Sequence, residues 1–257
     1  ICPRSRQGRG NERKCDPDML IALLMTQALT IPDNTRSHQL IQEHICAGDQ
    51  ASVQALALEL AKAGDPEGFI GLGWLEETAR PASPTRAYAY YLAAAQHGSM
   101  RAQWKVGVML DTGLGVPVDS RAAAYWLRKA AHRNLGAAWA SLGLLRLQGR
   151  GVAKDRFGAR RAYFNAIRHG DPHGFAGIGA LYSSRSDKKS DYLRAIAWYR
   201  VAASHGDDIA QTKLDAFPRL SPEEETWVNR RAETIRRRHP ITIAWVDGPC
   251  ASPRAPR

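Results

Sequence analysis

Small and large apolar residues recur with a period of 36 residues through the middle of the chain. Several columns contain only small residues, among them Gly107, Gly143 and Gly179 in one column and Ala123, Ala159 and Ala195 in another. A large apolar residue directly precedes each glycine, namely Val106, Leu142 or Ile178. A fixed period of this kind indicates that one structural unit is repeated.

Each unit is predicted to be a helical hairpin. In one unit, Ala102 to Leu110 has the pattern of a first helix, and Ser120 to His132 has that of a second helix after a loop with Gly113 and Gly115. Small residues let the two backbones approach closely, and the large neighbours fill the layer between units. A hairpin this short cannot bury its own apolar face, so the units are expected to stack into a superhelix.

Glycine has two predicted roles in these hairpins. A glycine in the middle of a helix costs about 1 kcal/mol relative to alanine, so tight packing must compensate at Gly107, Gly143 and Gly179. At the ends of the second helices, a residue able to adopt the left-handed conformation is expected to cap the helix. These capping positions are Gly98, Asn134, Gly170 and Gly206.

The segments that flank the repeats are also predicted to be mainly helical. Upstream, three helices are expected to cap the stack, at Asp18 to Leu29, Arg36 to Cys46 and Gln50 to Lys62. Downstream, Ser221 and Pro222 begin a helix that three arginines end at Arg238, and Ile241 to Val246 is predicted to be a short strand or an extended plug. The predicted regions are an N-terminal helical cap (1–63), the repeats (64–214) and a C-terminal capping helix with a tail (215–257).

The repeated residues resemble the Sel1-like repeat family, a relative of the tetratricopeptide repeat. The first matching unit has Ala102, Gly107, Gly113, Gly115, Val116, Asp119, Ala123, Trp126, Ala130 and Ala131. The second has Ala138, Leu142, Gly143, Gly149, Gly151, Val152, Asp155, Ala159 and Ala166. The resemblance implies an all-α fold, a right-handed superhelical solenoid of helix-turn-helix repeats. The neighbouring units depart from the pattern, since the loop after Leu72 is shorter and a polar stretch, Ser183 to Ser190, replaces Gly-x-Gly-Val.

The chain carries a formal net charge of +11 with a pI near 9.8, which favours a partner with an acidic surface. Basic clusters lie in the first fourteen residues and around Arg236 to Arg238. Specific nucleic-acid binding is not expected, because interleaved aromatics and a recognisable binding module are missing from the sequence pattern. The candidate partner-binding residues are aromatic and basic, and they are Trp104, Trp139, Arg146, Arg150, Arg185, Lys188 and Lys189.

The four cysteines and the first residue of the sequence give an indication of the cellular compartment. Cys2, Cys15, Cys46 and Cys250 have no zinc-site spacing, and their even number permits disulfides between Cys2 and Cys15 and between Cys46 and Cys250. Free buried thiols are the alternative. The sequence begins at Ile1, so a leader is expected to have been cleaved from the natural protein or trimmed, which favours the periplasm or secretion over the cytoplasm. The apolar stretch from Met19 to Ile31 is too short for a membrane span of roughly 20 residues.

No catalytic, metal or cofactor site is predicted. His97, His169 and His205 share a column at helix ends, where the helix dipole favours a cation. Asp119, Asp155 and Asp191 share a column just before second helices, where a carboxylate caps backbone amides. Signatures of nucleophile elbows, zinc proteases and phosphate loops are missing from the sequence.

The expected function is therefore non-catalytic protein binding. The resemblance implies either a periplasmic immunity protein that inhibits a secreted antibacterial effector, such as a phospholipase, or a cell-envelope signalling or assembly adaptor. It also implies a rival enzyme class, a β-lactam-binding or hydrolysing protein, because Ser186 to Lys189 has the Ser-x-x-Lys spacing of such chemistry. A third class, a basic nucleic-acid or anionic-lipid binder, would lose binding steeply with salt.

Overall fold

The computed structural model describes residues 34–184 and 188–241, and within these ranges the chain forms twelve α-helices and no β-strand. The helices are α1 (Asn34–Ala47), α2 (Gln50–Lys62), α3 (Pro66–Thr78), α4 (Pro84–Gln96), α5 (Met100–Thr112), α6 (Ser120–His132), α7 (Gly136–Gln148), α8 (Arg156–Arg168), α9 (His173–Ser183), α10 (Lys189–Ser204), α11 (Asp208–Asp215) and α12 (Pro222–Arg238).

Consecutive helices pack in pairs. The pairs α3/α4, α5/α6, α7/α8 and α9/α10 form hairpins, and the second helix of each hairpin also packs against the first helix of the next. The prediction of an all-α solenoid of helix-turn-helix repeats is confirmed. Helices α1 and α2 add another pair at the N-terminal end, and α11 and α12 both pack against α10 at the C-terminal end.

The two sides of the stack differ in how closely the helices approach. First helices contact one another between units, since α1 contacts α3, and α7 contacts both α5 and α9. Successive second helices make no comparable contact within the described ranges. The first helices therefore line the inner side of the stack, and the second helices lie outside.

The small-residue columns are buried at the contact between the two helices of a hairpin. Ala123, Ala159 and Ala195 are completely inaccessible to solvent. A methyl group added at Gly107 would lie 2.7 Å from Cγ of Leu127, and one at Gly179 would lie 3.1 Å from the ring of Tyr199. This is the tight packing that the mid-helix glycines were expected to require.

Each Gly-x-Gly loop joins the two helices of one hairpin and packs against the preceding hairpin. The second glycine of each loop, Gly115 or Gly151, lies against the start of the preceding second helix, at the backbone of Pro84 or Ser120 respectively. Both glycines have a positive φ, +74° and +64°, and a side chain at either would collide with that backbone. The motif therefore sets the spacing of neighbouring hairpins.

The predicted helix caps are confirmed at most positions. The residues after the second helices have positive φ, which is +93° at Gly98, +79° at Gly170 and +90° at Gly206, and Asn134 adopts the same region at +67°. On the N-terminal side, Asp119 accepts hydrogen bonds from the amides of Arg121 and Ala122, and Asp155 accepts one from Gly158.

The cap predicted at Asp191 is wrong. Helix α10 begins at Lys189, so Asp191 lies in its first turn, where its carboxylate pairs with Arg194 at 3.2 Å. The polar stretch from Ser183 to Ser190 is correspondingly not all loop, because Ser183 ends α9 and the last two residues begin α10. A loop without Gly-x-Gly-Val does not fix the helix start at the position that the other units use.

The flanking segments agree with their predictions where the structure describes them. Helices α1 and α2 lie where two N-terminal helices were expected, and α12 begins with a capping box formed by Ser221 and Glu224. The predicted helix from Asp18 to Leu29 lies outside the described residues, as does the segment after Ile241. The three region boundaries stay a prediction.

Candidate functional site

The two tryptophans predicted to bind a partner lie side by side on the inner helices. Trp104 of α5 donates a hydrogen bond from Nε1 to Oγ of Ser141 on α7, at 3.1 Å. Trp139 of α7 packs against the same apolar cluster as Trp104, which contains Leu135 and Ala138. Both indoles are half-buried, so they contribute to packing between hairpins as well as to the inner surface.

The predicted basic residues occupy different parts of the stack. Arg150 pairs with Asp111 at 3.0 Å and so links the loop after α7 to the end of α5. Lys189 pairs with Glu224 at 2.5 Å and links α10 to the start of α12. Lys188 is exposed, and Arg185 lies outside the described residues. The structure does not bring these side chains into one site, and their role in binding stays a prediction.

Arg146 lies in a different environment, between α7 and α8. Its Nη1 donates to the carbonyl oxygen of Gly158 at 3.4 Å, and Gly158 has no side chain that would block this approach. Burial is the main cause that lowers the pKa of Arg146 below its usual value. The charge of Asp155 opposes this effect, whereas the nearby charges of Arg128 and Arg161 add to it.

Three guanidinium groups are thus gathered on three different helices. Arg128 on α6 and Arg161 on α8 are both exposed, and each is close enough for its charge to lower the pKa of Arg146 on α7. Within residues 34–184 and 188–241, none of the three forms an ion pair with a carboxylate. Like charges repel one another, so binding of an anion to this group is favoured.

The stretch of sequence between Asp111 and Asp171, which contains this group, has few acidic residues. Residues 112–170 contain eleven arginines and lysines, two aspartates and no glutamate. Both aspartates, Asp119 and Asp155, are helix caps whose oxygens accept backbone hydrogen bonds. We call the exposed basic side chains of this region the arginine surface, and its members are Arg121, Arg128, Lys129, Arg133, Lys154, Arg160, Arg161 and Arg168.

Two exposed aromatic side chains accompany the arginine surface. Tyr125 is 51% exposed and Phe157 is 76% exposed, on α6 and α8 respectively. The ammonium group of Lys129 lies 5.3 Å from the centre of the Tyr125 ring, so that ring is already occupied by a cation. Phe157 is therefore the more accessible of these two aromatic side chains for a partner.

Sequence reasoning missed this surface because it looked for runs of positive charge. The runs are at the chain ends, whereas the central basic residues are spread over α6, the loop after α7 and α8. The signal that would have found them is the scarcity of acidic residues between positions 112 and 170.

Comparison with known proteins agrees with the architecture. The Sel1 repeat family model matches residues 70–99, 101–135 and 176–207. These three segments of the chain are therefore Sel1 repeats. The hairpin α7/α8 lies between the matched segments and keeps the same packing. No curated protein matches the chain significantly.

Two solved structures are similar to this Sel1-repeat protein. A Sel1 repeat protein from Oxalobacter formigenes is 26% identical with a TM-score of 0.56, and the match covers 76% of this chain and 84% of that one. A protective antigen of uropathogenic Escherichia coli with an SLR fold is 21% identical with a TM-score of 0.62. That match covers 84% of this chain but 48% of the antigen, and it supports the fold alone.

Sel1 repeats mediate protein–protein interaction. Two histidines that were considered for chemistry have structural roles in this Sel1-repeat protein. His97 stacks on Phe69 with ring centres 5.3 Å apart, and His205 stacks on Phe175 at 5.5 Å. In the described part of the chain, no group of three or more histidine, cysteine, aspartate or glutamate side chains could hold a metal ion. Ser186 of the Ser-x-x-Lys spacing lies outside the described residues.

Two further predictions concern disulfide bonds and membrane-spanning helices. Cys46, at the end of α1, is in a disulfide bond. Cys2, Cys15 and Cys250 lie outside the described residues, so the predicted pairing stays a prediction. Among the residues described, no helix is both long and apolar enough to span a membrane.

Proposed function

We propose that this Sel1-repeat protein is a non-catalytic scaffold that binds an acidic surface of another protein through the arginine surface. The observation that carries the proposal is the group formed by Arg128, Arg146 and Arg161, which has exposed cations around it and whose nearby carboxylate, Asp155, caps the start of α8. Bringing like charges together destabilises the isolated protein, and an anionic partner relieves that repulsion. Such a surface also increases the rate at which an acidic partner associates.

A protein partner fits the surface better than a nucleic acid does. Single-stranded nucleic acid binds to several aromatic side chains on which successive bases stack. Of the two exposed rings beside the arginine surface, Lys129 lies over Tyr125, and Phe157 alone offers an open face. Arginine and aromatic side chains together are the residues that contribute most to protein interfaces. The repeat family also mediates protein–protein interaction.

The test is affinity capture from nuclease-treated extract of the source cell. The bait is compared with the variant Arg128→Glu/Arg161→Glu and with a control, Lys213→Glu/Arg230→Glu, which makes the same change in net charge at exposed positions on α11 and α12. We expect the unchanged protein and the control to retain one stoichiometric acidic partner that the first variant loses. Equal recovery by both variants, or capture that nuclease abolishes, would contradict the proposal.

The identity of the captured protein separates the finer hypotheses. If the protein is a periplasmic immunity protein, its partner would be a secreted antibacterial effector, such as a phospholipase, that is inhibited on binding. A membrane sensor or an assembly factor would instead indicate a cell-envelope adaptor. The enzyme alternative predicts β-lactam hydrolysis that Ser186→Ala abolishes.

A further inference from the structure

A small cleft opens beside the arginine surface, where α8 meets the end of α9 and the middle of α10. Its volume is about 130 Å³. Phe164, Leu181, Tyr182 and Trp198 form its apolar lining, and Phe157 stands at its rim. Small-molecule and cofactor sites usually have volumes of roughly 300 to 1,000 Å³, so this cleft is the size for a single side chain.

One wall of the cleft is held in place by Arg156. Its guanidinium donates to Oγ of Ser184 at 2.8 Å and also to the carbonyl oxygen of Leu181. These bonds tie the start of α8 to the end of α9, which fixes the width of the opening. The cleft is therefore formed before any partner binds.

The floor of the cleft is aromatic and contains an unused hydrogen-bond donor. Trp198 is 5% exposed, and the ring of Phe164 meets it edge-on with centres 6.1 Å apart. In the described residues, Nε1 of Trp198 has no hydrogen-bond partner. Because Nε1 is itself buried, the part of Trp198 that borders the cleft acts as an apolar surface.

The rim of the cleft is basic and apolar at once. Arg160 lines the cleft and is exposed, and Phe157 projects beside it with 76% of its surface accessible. Arg161 and Arg168 follow on the same helix, and α8 contains no acidic residue. A segment that enters the cleft must therefore pass positive charge on the side of α8.

We propose that this cleft anchors one apolar side chain, aromatic or leucine, of an acidic peptide segment in the partner protein. The proposal rests on the proposed function and adds the place and the sequence chemistry of recognition. The acidic residues would face Arg160 and Arg161, and the apolar side chain would pack against Phe164 and Trp198. Anchoring by one buried side chain within a charged contact area is a common form of peptide recognition.

Two synthetic peptides test this directly. One has the sequence Gly-Asp-Glu-Phe-Glu-Asp-Gly, and the other has alanine in place of phenylalanine. In fluorescence anisotropy at constant low salt, we expect the phenylalanine peptide to bind about tenfold more tightly, as burial of one large apolar side chain gives. The variant Phe157→Ser should reduce this preference, because the rim side chain is lost, whereas Val118→Ser, another exposed apolar position at 63%, should keep it in full.

The indole N–H resonance of Trp198 reports where the peptide binds. Comparison with Trp198→Phe identifies the resonance in a nitrogen–proton correlation spectrum, and we expect the phenylalanine peptide to shift it more than the alanine peptide does. Equal affinity of the two peptides would overturn the anchor while leaving the acidic-partner function intact. Failure of both to bind would count against both proposals. A shift caused by Trp245→Ser without peptide would assign the cleft to this chain's own C-terminal segment and overturn the anchor.

Discussion

The backbone of Gly143 lies directly against the ring of Tyr163, so closely that a methyl group at Gly143 would be 2.7 Å from Cε1. Tyr163 is 3% exposed and cannot swing away into solvent. We therefore expect Gly143→Ala to destabilise the fold by about 1 to 3 kcal/mol, because the steric conflict outweighs the helix propensity that alanine gains. The free energy of unfolding in urea measures the effect.

Gly179 is the matched control for this substitution. It occupies the same column, but its added methyl group would lie 3.1 Å from the Tyr199 ring, so a shift of a few tenths of an ångström relieves the contact. Gly179→Ala should therefore cost less than Gly143→Ala. A gain of about 1 kcal/mol at Gly143, as expected for an exposed helical glycine, would contradict the packing argument.

The glycine columns show why the fold could be predicted from the sequence. A fixed period combined with helix-breaking residues inside apparent helices has few explanations other than stacked hairpins. The pattern located α5 and α6 and the caps at Gly98, Gly170 and Gly206 within a residue or two. It failed at Asp191, because helix starts depend on loop geometry, and the loop of that unit has its own sequence.

Asn134 occupies a helix-capping position at which the other units have glycine, so substitutions there test the role of the cap. Its φ of +67° is the left-handed conformation, which costs less for asparagine than for most residues but more than for glycine. We expect Asn134→Gly to stabilise the protein by about 0.5 to 1 kcal/mol, and Asn134→Ala to destabilise it. Thermal unfolding midpoints of the two variants should lie on opposite sides of the unchanged protein. If both moved in the same direction, the cap would not be the source of the effect.

The arginine surface should make the stability of the protein increase with salt. Repulsion among Arg128, Arg146 and Arg161 is screened as the Debye length falls from about 14 Å to about 4 Å between roughly 0.05 M and 0.5 M NaCl. We expect the unfolding midpoint to rise over this range and to rise less in Arg128→Gln/Arg161→Gln. The control Lys213→Gln/Arg230→Gln removes the same charge and should keep the full salt effect. An equal response in both double variants would mean that net charge alone is responsible.

This surface could not be derived from the sequence in the way that the fold could. Arg128, Arg146 and Arg161 are 18 and 15 positions apart, which does not match the period of 36. They meet because three helices from two hairpins pack at one place, and Gly158 leaves room for Arg146 there. The cleft at Trp198 has the same origin, since its walls come from α8, α9 and α10. Sites built between units depend on packing that no single unit contains.

His239 should make the stability of the folded protein depend on pH. Its ring lies near the rings of Phe164 and Trp198, with centres 5.5 Å and 6.0 Å apart. Desolvation lowers the pKa of His239 below 6.5, and the charge of Arg238 adds to this effect. Because the pKa is lower in the folded state, the unfolded chain binds the proton more readily. The contribution of His239 to stability should therefore be constant above about pH 6.5 and should fall as the pH drops from there through the folded pKa.

The variant His239→Gln isolates this contribution, because glutamine keeps a polar side chain of similar length and does not titrate. We expect the difference in urea midpoint between pH 7.5 and pH 5 to be smaller in the variant than in the unchanged protein. The hydrogen bond with Arg200 lowers the pKa of Glu225, so carboxylates of this kind lose most of their contribution to stability below about pH 4.5. They titrate in both proteins alike and do not affect the difference between them. An identical pH response in the two proteins would show that the imidazole is not desolvated by the two rings.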